Sequence, residues 1–356
     1  MEPSATDEVL IRREGRAGRI TMNRPQALNA LTHAMVGKIW EALLAWQSDP
    51  AVELIVLDGT GDRALCAGGD VRSLYDSRVD GSGAARRFWT DEYRLNSLIG
   101  RYPKPYVALQ DGIVMGGGIG LSAHASHRVV TERSRLAMPE TGIGLIPDVG
   151  GTWLLAHAPG EAGVYLGLTG DNMNAADAIF ARFSDNFVPS SKLSDLVARL
   201  CDPKGGDVPA AIAAFAEEPG PSALAERRAK IDKLFAGATV EDILQALAGA
   251  SGEWAEKTRA TLGQKSPKSL KLTLAAVRKA KTPRSLEEAL TVEYRLTVRL
   301  FEDGEFPEGV RALLVDKDRK PKWSPPDLQG VTAAMVQQYL SPLPPGEELT
   351  FGTSKS

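Results

Sequence analysis

The sequence predicts a soluble globular protein with an α/β fold over residues 9–190 and a mainly helical region beyond it, and one observation supports each part of this prediction. Short apolar runs with strand character alternate along this stretch with segments that carry apolar residues at helical spacing, a pattern typical of parallel strands joined by helices. The hydrophobic fraction of 43% and the charged fraction of 24% are those of a soluble globular protein. Beyond residue 200 the chain becomes rich in Ala, Glu, Lys and Leu, which favours amphipathic helices.

The elements of this core follow one another in order. The first two strands read as a β-hairpin, because glycines lie in the short turn between them, and the third strand ends at Asp58-Gly59. The segment that begins at Gly112 reads as a glycine-rich helix. The predicted strands are 9–11, 19–22, 53–57, 105–109 and 128–131, and the predicted helices are 33–46, 86–98 and 112–125.

The character of the chain changes near residue 200. Two connectors rich in Pro and Gly, at 203–209 and 217–221, separate segments with helical patterns. The helices predicted here are 222–235, 239–247 and 286–300. A Pro-rich polar stretch from residue 341 onward predicts a flexible tail. The domain organisation we expect is therefore a core over 1–200, a mainly helical region over 201–340 and a tail over 341–356.

Composition limits the classes of function. The 42 basic and 45 acidic residues give a net charge of −3, so nothing in the overall charge favours nucleic acid or a membrane surface. The apolar runs are too short to span a bilayer. Two cysteines make no disulfide framework, and the acidic first eight residues do not resemble a signal peptide or a mitochondrial presequence. We expect a cytoplasmic protein that binds neither nucleic acid nor a membrane.

The segment 138–151 contains the most informative residues of the chain. It places Glu140 and Asp148 among Gly, Pro and aliphatic residues, which leave a carboxylate little water and few cationic partners. Desolvation disfavours the charged form, so a carboxyl here gains a pKa suited to acid/base or nucleophilic chemistry near neutrality. The structural alternative is that Glu140 caps a helix and Asp148 starts a turn.

Two glycine-rich segments favour anion binding by the backbone. Residues 64–70 hold Gly68 and Gly69 at a turn, and residues 115–120 read Met-Gly-Gly-Gly-Ile-Gly before a helix. An oxyanion hole needs two N–H donors, and Gly69 and Gly117 are the natural pair. The alternatives are an ordinary turn with Asp70 as a helix N-cap, and glycines that serve close packing. The spacing matches neither a dinucleotide fingerprint nor a phosphate loop.

Three further features have ordinary explanations. Glu92 lies in a charged stretch that reads as the solvated face of a helix. The sequence Gly-Leu-Ser-Ala-His at 120–124 approaches a nucleophile elbow but has His where the second Gly belongs. His124 and His127 are three residues apart on a predicted helix, yet no third ligand is evident, so no metal is expected.

Read together, these segments resemble the crotonase (enoyl-CoA hydratase/isomerase) superfamily. The resemblance rests on Asn-Arg-Pro-Gln-Ala-Leu-Asn-Ala-Leu at 23–31, Cys-Ala-Gly-Gly-Asp at 66–70, Gly-Ile-Val-Met-Gly-Gly-Gly at 112–118, and Met-Pro-Glu at 138–140 continuing to Gly151. It implies a spiral core of repeated ββα units with a C-terminal helical region. In the superfamily this region often mediates oligomerisation, so the resemblance leaves open whether the protein is a homo-oligomer.

The resemblance also implies a ligand. In this superfamily two peptide N–H groups polarise the carbonyl of an acyl-CoA thioester, and by position these are the groups of Gly69 and Gly117. The loop 23–31 and the stretch after residue 63 would border CoA, which makes Ala27, Ala67 and Asp70 candidate CoA-binding residues. No separate cofactor is implied, because CoA is part of the substrate.

Two departures from the hydratase pattern resemble a hydrolase subgroup. Hydratases carry one catalytic glutamate at the position of Gly120 and commonly have Gly at the position of Asp148. Gly120 with Asp148, and the segments 266–270, 293–296 and 308–323, resemble the 3-hydroxyisobutyryl-CoA hydrolases, which are thioesterases of valine degradation. The resemblance implies that Glu92, Gly117, Glu140 and Asp148 bind substrate and that Glu140 and Asp148 act in catalysis. The alternatives are an enoyl-CoA hydratase or isomerase that kept one glutamate, and a non-catalytic acyl-CoA-binding protein.

Overall fold

The chain forms two compact units, each with its own core. The computed structural model describes residues 7–282 and 285–351. The first unit consists of the residues up to 70 together with 91–137 and 172–225, and the second of 71–90, 138–171 and the residues from 226 onward. Residues 1–6 of the acidic N-terminal segment and 352–356 of the predicted tail lie outside the described residues. The domain boundaries at 200 and 340 stay predictions.

The first unit is built on two β-sheets. Its strands are β1 (Val9–Glu14), β2 (Ala17–Met22), β3 (Leu54–Gly59), β4 (Ala64–Cys66), β5 (Tyr106–Gln110), β6 (Ile113–Met115), β7 (His127–Val130), β8 (Arg135–Ala137) and β9 (Asn186–Phe187). Six strands form one sheet in the order β1-β2-β3-β5-β7-β9, and three form a second in the order β4-β6-β8. Among the strands named here, all within the described residues, β1 and β2 pair antiparallel and every other neighbouring pair is parallel. The α/β prediction is confirmed.

The helices are distributed over both units and dominate the second. They are α1 (His33–Gln47), α2 (Val71–Asp80), α3 (Ala84–Gly100), α4 (Gly117–Ser122), α5 (Gly151–Ala156), α6 (Ala162–Thr169), α7 (Ala175–Phe180), α8 (Leu193–Cys201), α9 (Val208–Ala213), α10 (Ala223–Leu234), α11 (Val240–Ala248), α12 (Glu253–Leu262), α13 (Pro267–Lys279), α14 (Leu286–Glu302), α15 (Glu305–Val310) and α16 (Ala333–Leu340). In the described part of the chain, no helix is both long and apolar enough to cross a membrane.

The six-stranded sheet sets the core of the first unit. Leu54 and Val56 of β3 and Val107 of β5 are almost fully buried, and they pack with Leu196 and Leu200 of α8. Consecutive apolar residues are expected where both faces of a parallel strand are covered. The carboxyl ends of β3 and β5 therefore lead into the glycine-rich loops from a rigid base.

One predicted element is wrong in part. The stretch 112–125 is not a single helix, because β6 comes first and α4 covers only Gly117–Ser122. His124 follows the end of α4, and His127 begins β7. The two histidines therefore do not share a helix, and the metal alternative loses the geometry on which it depended.

Candidate active site

In the first unit, Asn29 fixes the loop that carries the first motif. Asn29 is 1% exposed and adopts a left-handed backbone with φ of 56°. Its Oδ1 accepts the N–H of Arg24 at 2.8 Å, and its Nδ2 donates to the carbonyls of Thr60 at 3.1 Å and Ala64 at 2.8 Å. Asn is among the few residues that tolerate this conformation. The side chain ties the loop to the strand that leads to Gly69.

Gly69 lies in a parallel bridge with Leu31. The hydrogen bonds of this bridge come from the residues on either side of Gly69, because Gly68 O accepts Leu31 N at 2.8 Å and Asp70 N donates to Leu31 O at 2.9 Å. The N–H of Gly69 itself takes no part in this bridge and points away from Leu31. This is the orientation that the oxyanion prediction requires of one donor.

Gly117, the first residue of α4, lies close to both Gly69 and Glu92. The first N–H groups of a helix have no partner within the helix. A Cβ on Gly117 would lie 2.7 Å from Oε1 of Glu92 and 3.3 Å from the N of Gly69. Only glycine therefore fits here without displacing one of them. Glu92 is 2% exposed, so its interpretation as part of a solvated helix face is wrong.

The three candidate CoA-binding residues are also in the first unit and are partly exposed. Ala27 ends a 3-10 turn, and Ala67 N donates to Leu28 O at 3.0 Å. The carboxylate of Asp70 pairs with the guanidinium of Arg24 at 3.3 Å. These contacts order the backbone of the candidate binding loops and leave part of each residue accessible to solvent.

In the second unit, Glu140 is a buried carboxyl at the start of a 3-10 turn, Glu140–Ile143. It is 5% exposed, and its Oε2 has no hydrogen-bond partner among the described residues. Burial, followed by the charge of Asp148 and a smaller effect of Glu293, raises the pKa of Glu140 well above 4.5, whereas Lys265 opposes this. A carboxylate with an unused lone pair in a dry site is equipped to act as a nucleophile or base.

Asp148 is the other predicted carboxyl in this unit, and it is also 5% exposed. Its carbonyl accepts the N–H of Gly151 at 2.6 Å, which forms the turn into α5. The alternative that Asp148 begins a turn is therefore correct for its backbone. It leaves the role of the side chain open, and the structure brings that side chain into the electrostatic environment of Glu140.

Sequence reasoning assigned no role to Lys265 or Glu293 of the second unit. Burial lowers the pKa of the Lys265 ammonium, while the carboxylates of Glu140 and Asp171 raise it. Glu293 is fully buried on α14 and binds the backbone after Asp148. No local spacing signals either residue, because both are more than 100 positions away from Glu140. Glu293 is nevertheless within the segment 293–296, which carries part of the hydrolase resemblance.

The described residues offer little support for a metal-binding site or for a reactive cysteine thiol. In the described ranges 7–282 and 285–351, no group of three or more His, Cys, Asp or Glu residues is arranged to hold a metal ion. Cys66 and Cys201 are both buried free thiols. Burial raises the pKa of the Cys66 thiol to about 12, which makes it a poor nucleophile.

Comparison with known proteins decides the family. The family model described as enoyl-CoA hydratase/isomerase matches residues 17–340. The chain belongs to the enoyl-CoA hydratase/isomerase family. This confirms the crotonase resemblance, and it indicates an enzyme that acts on acyl-CoA. Three mitochondrial 3-hydroxyisobutyryl-CoA hydrolases are similar along nearly the whole length of the chain. The protein of Danio rerio is 41% identical over 96% of this chain and 92% of its own. The protein of Xenopus laevis is 43% identical over 94% of this chain and 89% of its own, and that of Homo sapiens is 40% identical over 95% of this chain and 90% of its own.

Solved structures of this family confirm the crotonase fold. A crystal structure described as a carnitinyl-CoA dehydratase from Mycobacterium thermoresistibile is 47% identical, covers 98% of this chain and 100% of its own, and superposes with a TM-score of 0.93. One described as an enoyl-CoA hydratase from Rhodobacter sphaeroides is 45% identical, with coverage of 97% and 100% and a TM-score of 0.91. This family member is therefore similar both to proteins described as hydrolases and to proteins described as hydratases or dehydratases.

Proposed function

We propose that this family member hydrolyses a short 3-hydroxyacyl-CoA thioester, with 3-hydroxyisobutyryl-CoA of valine degradation as its preferred substrate. The observation that carries the proposal is the set of carboxyls. Glu140 and Asp148 are present and buried, whereas position 120 is a glycine. Water addition in the family uses a pair of glutamates, and one of that pair is absent. The relatives described as 3-hydroxyisobutyryl-CoA hydrolases add support at 40–43% identity.

The first part of the proposed mechanism is polarisation of the thioester. Ala27, Ala67 and Asp70 would contact the CoA portion. The N–H groups of Gly69 and Gly117 would donate to the carbonyl oxygen as it becomes negative. The direction of the Gly69 N–H and the position of Gly117 at the start of α4 support this assignment. Losing one such donor typically costs about 10²–10³ in rate.

The second part is bond exchange at the carbonyl carbon. In one route, a carboxylate oxygen of Glu140 attacks this carbon and the C–S bond breaks, giving a mixed anhydride and CoA thiolate. Water then hydrolyses the anhydride and restores the Glu140 carboxylate. In the other route, Glu140 removes a proton from water that attacks the same carbon. Both routes yield 3-hydroxyisobutyrate and CoA, and a thiolate needs little acid assistance to leave, because thiols are far more acidic than alcohols.

The remaining two carboxyl residues would bind the acyl group. Asp148 would position the 3-hydroxyl group or the attacking water, and Glu92 would contribute to the polar surface that receives the substrate. Both side chains are buried, and a buried carboxyl is costly unless it is hydrogen-bonded, so a substrate group that contacts either one would need to be polar.

The competing function is hydration, dehydration or isomerisation of the acyl chain. The descriptions of the two solved relatives at 45–47% identity favour it. Gly120 disfavours it, since the chain then lacks the second carboxyl at that position. A non-catalytic acyl-CoA-binding protein is a third class, and it would not need both Glu140 and Asp148.

A thiol-release assay over a panel of substrates separates these functions. The panel is 3-hydroxyisobutyryl-, 3-hydroxypropionyl-, 3-hydroxybutyryl- and crotonyl-CoA. We expect thiol release from the 3-hydroxyacyl thioesters, fastest with the branched one. Hydration of crotonyl-CoA without thiol release from any member would contradict the proposal, and binding without turnover would favour the third class.

Single-turnover labelling separates the two routes. With excess enzyme in ¹⁸O-water, attack of water on the Glu140 acyl carbon of an anhydride places label in Glu140, which mass spectrometry detects. Label that appears only in the product favours direct attack by water, although water attack on the substrate carbon of the anhydride gives the same pattern.

Cellular context and assembly are also part of the proposal. We place the enzyme in the cytoplasm, acting on acyl-CoA and on neither nucleic acid nor membranes, and we retain a homo-oligomer as the assembly to test. Size-exclusion chromatography with light scattering measures the assembly directly.

A further inference from the structure

The backbone directly after Asp148 has an unusual conformation. Val149 has φ of 54° and Gly150 φ of 80°, so two consecutive residues are left-handed. A β-branched residue such as Val rarely adopts this conformation, because its branched side chain crowds the backbone. Strained residues of this kind persist only where the surroundings hold them in place, and they are common at functional sites.

Glu293 is the side chain that binds this strained segment. It lies on α14, 143 residues further along the chain than Gly150, and is fully buried. Its Oε2 accepts the N–H of Gly150 at 2.7 Å, and its Oε1 accepts the N–H of Thr152 at 2.9 Å and also the hydroxyl of Thr152. One carboxyl group therefore binds the backbone one and three residues after Val149, at Gly150 and Thr152.

This arrangement costs more than an ordinary turn requires. A Ser, Thr or Asn in the loop itself usually satisfies the first N–H groups of a helix. Here the acceptor is a buried carboxyl from a different helix, next to two other buried carboxyls. Burial raises the pKa of Glu293, the bonds from Thr152 and Gly150 lower it, and the charge of Asp148 raises it, with a net value of about 7. Placing three acidic groups this close together is energetically unfavourable, which indicates that the arrangement serves a function.

We propose that Glu293 is a positioning residue, which holds the turn after Asp148 in its strained form so that the Asp148 carboxyl keeps one orientation toward the 3-hydroxyl group of the substrate. The inference rests on the proposed function, because it gives Asp148 the role described there. It predicts that Glu293 affects discrimination between 3-hydroxyacyl and plain acyl substrates, although it would not touch the substrate itself.

The variants are Glu293→Gln and Glu293→Asp, with Glu305→Gln as the matched control. Gln offers one acceptor oxygen where Glu offers two, so at least one of the three bonds to the segment is lost. Asp keeps both oxygens and the charge on a shorter side chain, so Glu293→Asp should partly retain the bonds to the segment that Glu293→Gln loses. Glu305 is likewise a buried glutamate of the second unit, 3% exposed, and its carboxylate binds Ser266 and Lys268 rather than the Asp148 turn.

Two readouts decide the question. The first is the ratio of kcat/KM for 3-hydroxyisobutyryl-CoA to that for isobutyryl-CoA. We expect Glu293→Gln to lower this ratio about tenfold, consistent with losing one oriented hydrogen bond to a substrate hydroxyl, and Glu293→Asp to lower it less. The second is amide hydrogen exchange at Gly150 and Thr152 in the enzyme without substrate, which should become faster in Glu293→Gln. Glu305→Gln should leave both readouts as in the wild type.

An unchanged substrate ratio in Glu293→Gln, with faster exchange at Gly150 and Thr152, would overturn the positioning role. Unchanged exchange at these amides would overturn it regardless of activity. Failure of the proposed function appears separately, as a wild-type enzyme that releases no thiol from any acyl-CoA, and the exchange rates then still decide whether Glu293 holds the turn. If Glu293→Gln does not fold, the same two readouts are taken on Glu293→Asp, and an unchanged substrate ratio or unchanged amide exchange in that variant would overturn the positioning role.

Discussion

The two units place different kinds of polar groups in their candidate site residues. The first unit offers backbone N–H groups, at Gly69 and Gly117, beside the buried carboxyl of Glu92, and the second offers a group of buried carboxyls, at Glu140, Asp148 and Glu293. Backbone donors do not titrate and depend on the absence of a side chain, whereas buried carboxyls titrate and are destabilised by desolvation. The donors Gly69 and Gly117 should therefore be sensitive to added volume, and the carboxyls of the second unit to pH and charge.

The largest effect is expected from Glu140→Gln in the second unit. Gln can neither attack the thioester nor accept a proton, so kcat should fall by about 10²–10⁴. Because burial disfavours the ionised form of Glu140, this variant should unfold at the same or a higher temperature than the wild type. A thiol-release assay and thermal unfolding measure the two quantities. Wild-type turnover by this variant would remove Glu140 from the mechanism.

The next effect is steric and belongs to the first unit. Gly117→Ala places a methyl group against the Glu92 carboxylate and the Gly69 peptide, and should lower kcat by about 10²–10³ by spoiling the donor pair. Gly37→Ala is the matched control, since no atom within 4 Å would meet its Cβ and it lies in α1. The control should keep full activity and gain about 0.5–1 kcal/mol of stability. Equal activity of the two variants would argue against the oxyanion assignment.

The pH dependence of the free energy of unfolding measures how much the buried carboxyls destabilise the folded protein. Burial raises the pKa of Glu293 from 4.5 to about 7 in the folded protein. Between these values the folded state holds a proton that the unfolded state has lost, so the free energy of unfolding decreases as pH rises, by about 3 kcal/mol for this group. Glu140 contributes in the same direction. Denaturant unfolding from pH 4.5 to 8 measures the slope, which should be shallower in Glu293→Gln. An equal slope in both proteins would contradict the assignment.

The smallest effect concerns Lys265, whose ammonium lowers the pKa of Glu140 while Asp148 and Glu293 raise it. Glu140 must be ionised to act, so kcat/KM should rise with pH as Glu140 deprotonates. Lys265→Met should move this rise to higher pH and reduce activity at pH 6 a few-fold relative to pH 8. The pH profile of kcat/KM checks this. A profile identical to that of the wild type would show that Lys265 does not influence Glu140 during the reaction.

The local sequence pattern was sufficient to predict a helix or strand where the residues of that element alone determine its conformation. The apolar run of β3 and the helical spacing of α1 and α14 are visible directly, and their predicted positions are confirmed to within a few residues. β6 was missed because three residues in a glycine-rich segment give too little pattern to separate a strand from a helix.

The candidate site was only partly accessible to the same reasoning. The proposed oxyanion pair and the two carboxyls of 138–151 could be predicted as candidates from motif spacing, because each motif is short and continuous. The three bonds of Asn29 and the contact of Glu293 with Gly150 depend on tertiary packing, and no sequence period connects residues 143 positions apart. Site roles that depend on a single side chain from a distant helix therefore require a structure.

Thioester hydrolysis by this protein is tested most directly by the products of one reaction. The purified enzyme is given 3-hydroxyisobutyryl-CoA, and all CoA species and free acids are quantified by liquid chromatography and mass spectrometry. Because position 120 lacks the second carboxyl and Glu140 and Asp148 are retained, we predict equal amounts of free CoA and 3-hydroxyisobutyrate. Formation of the dehydrated enoyl thioester, with CoA still attached and no free thiol, would contradict the account.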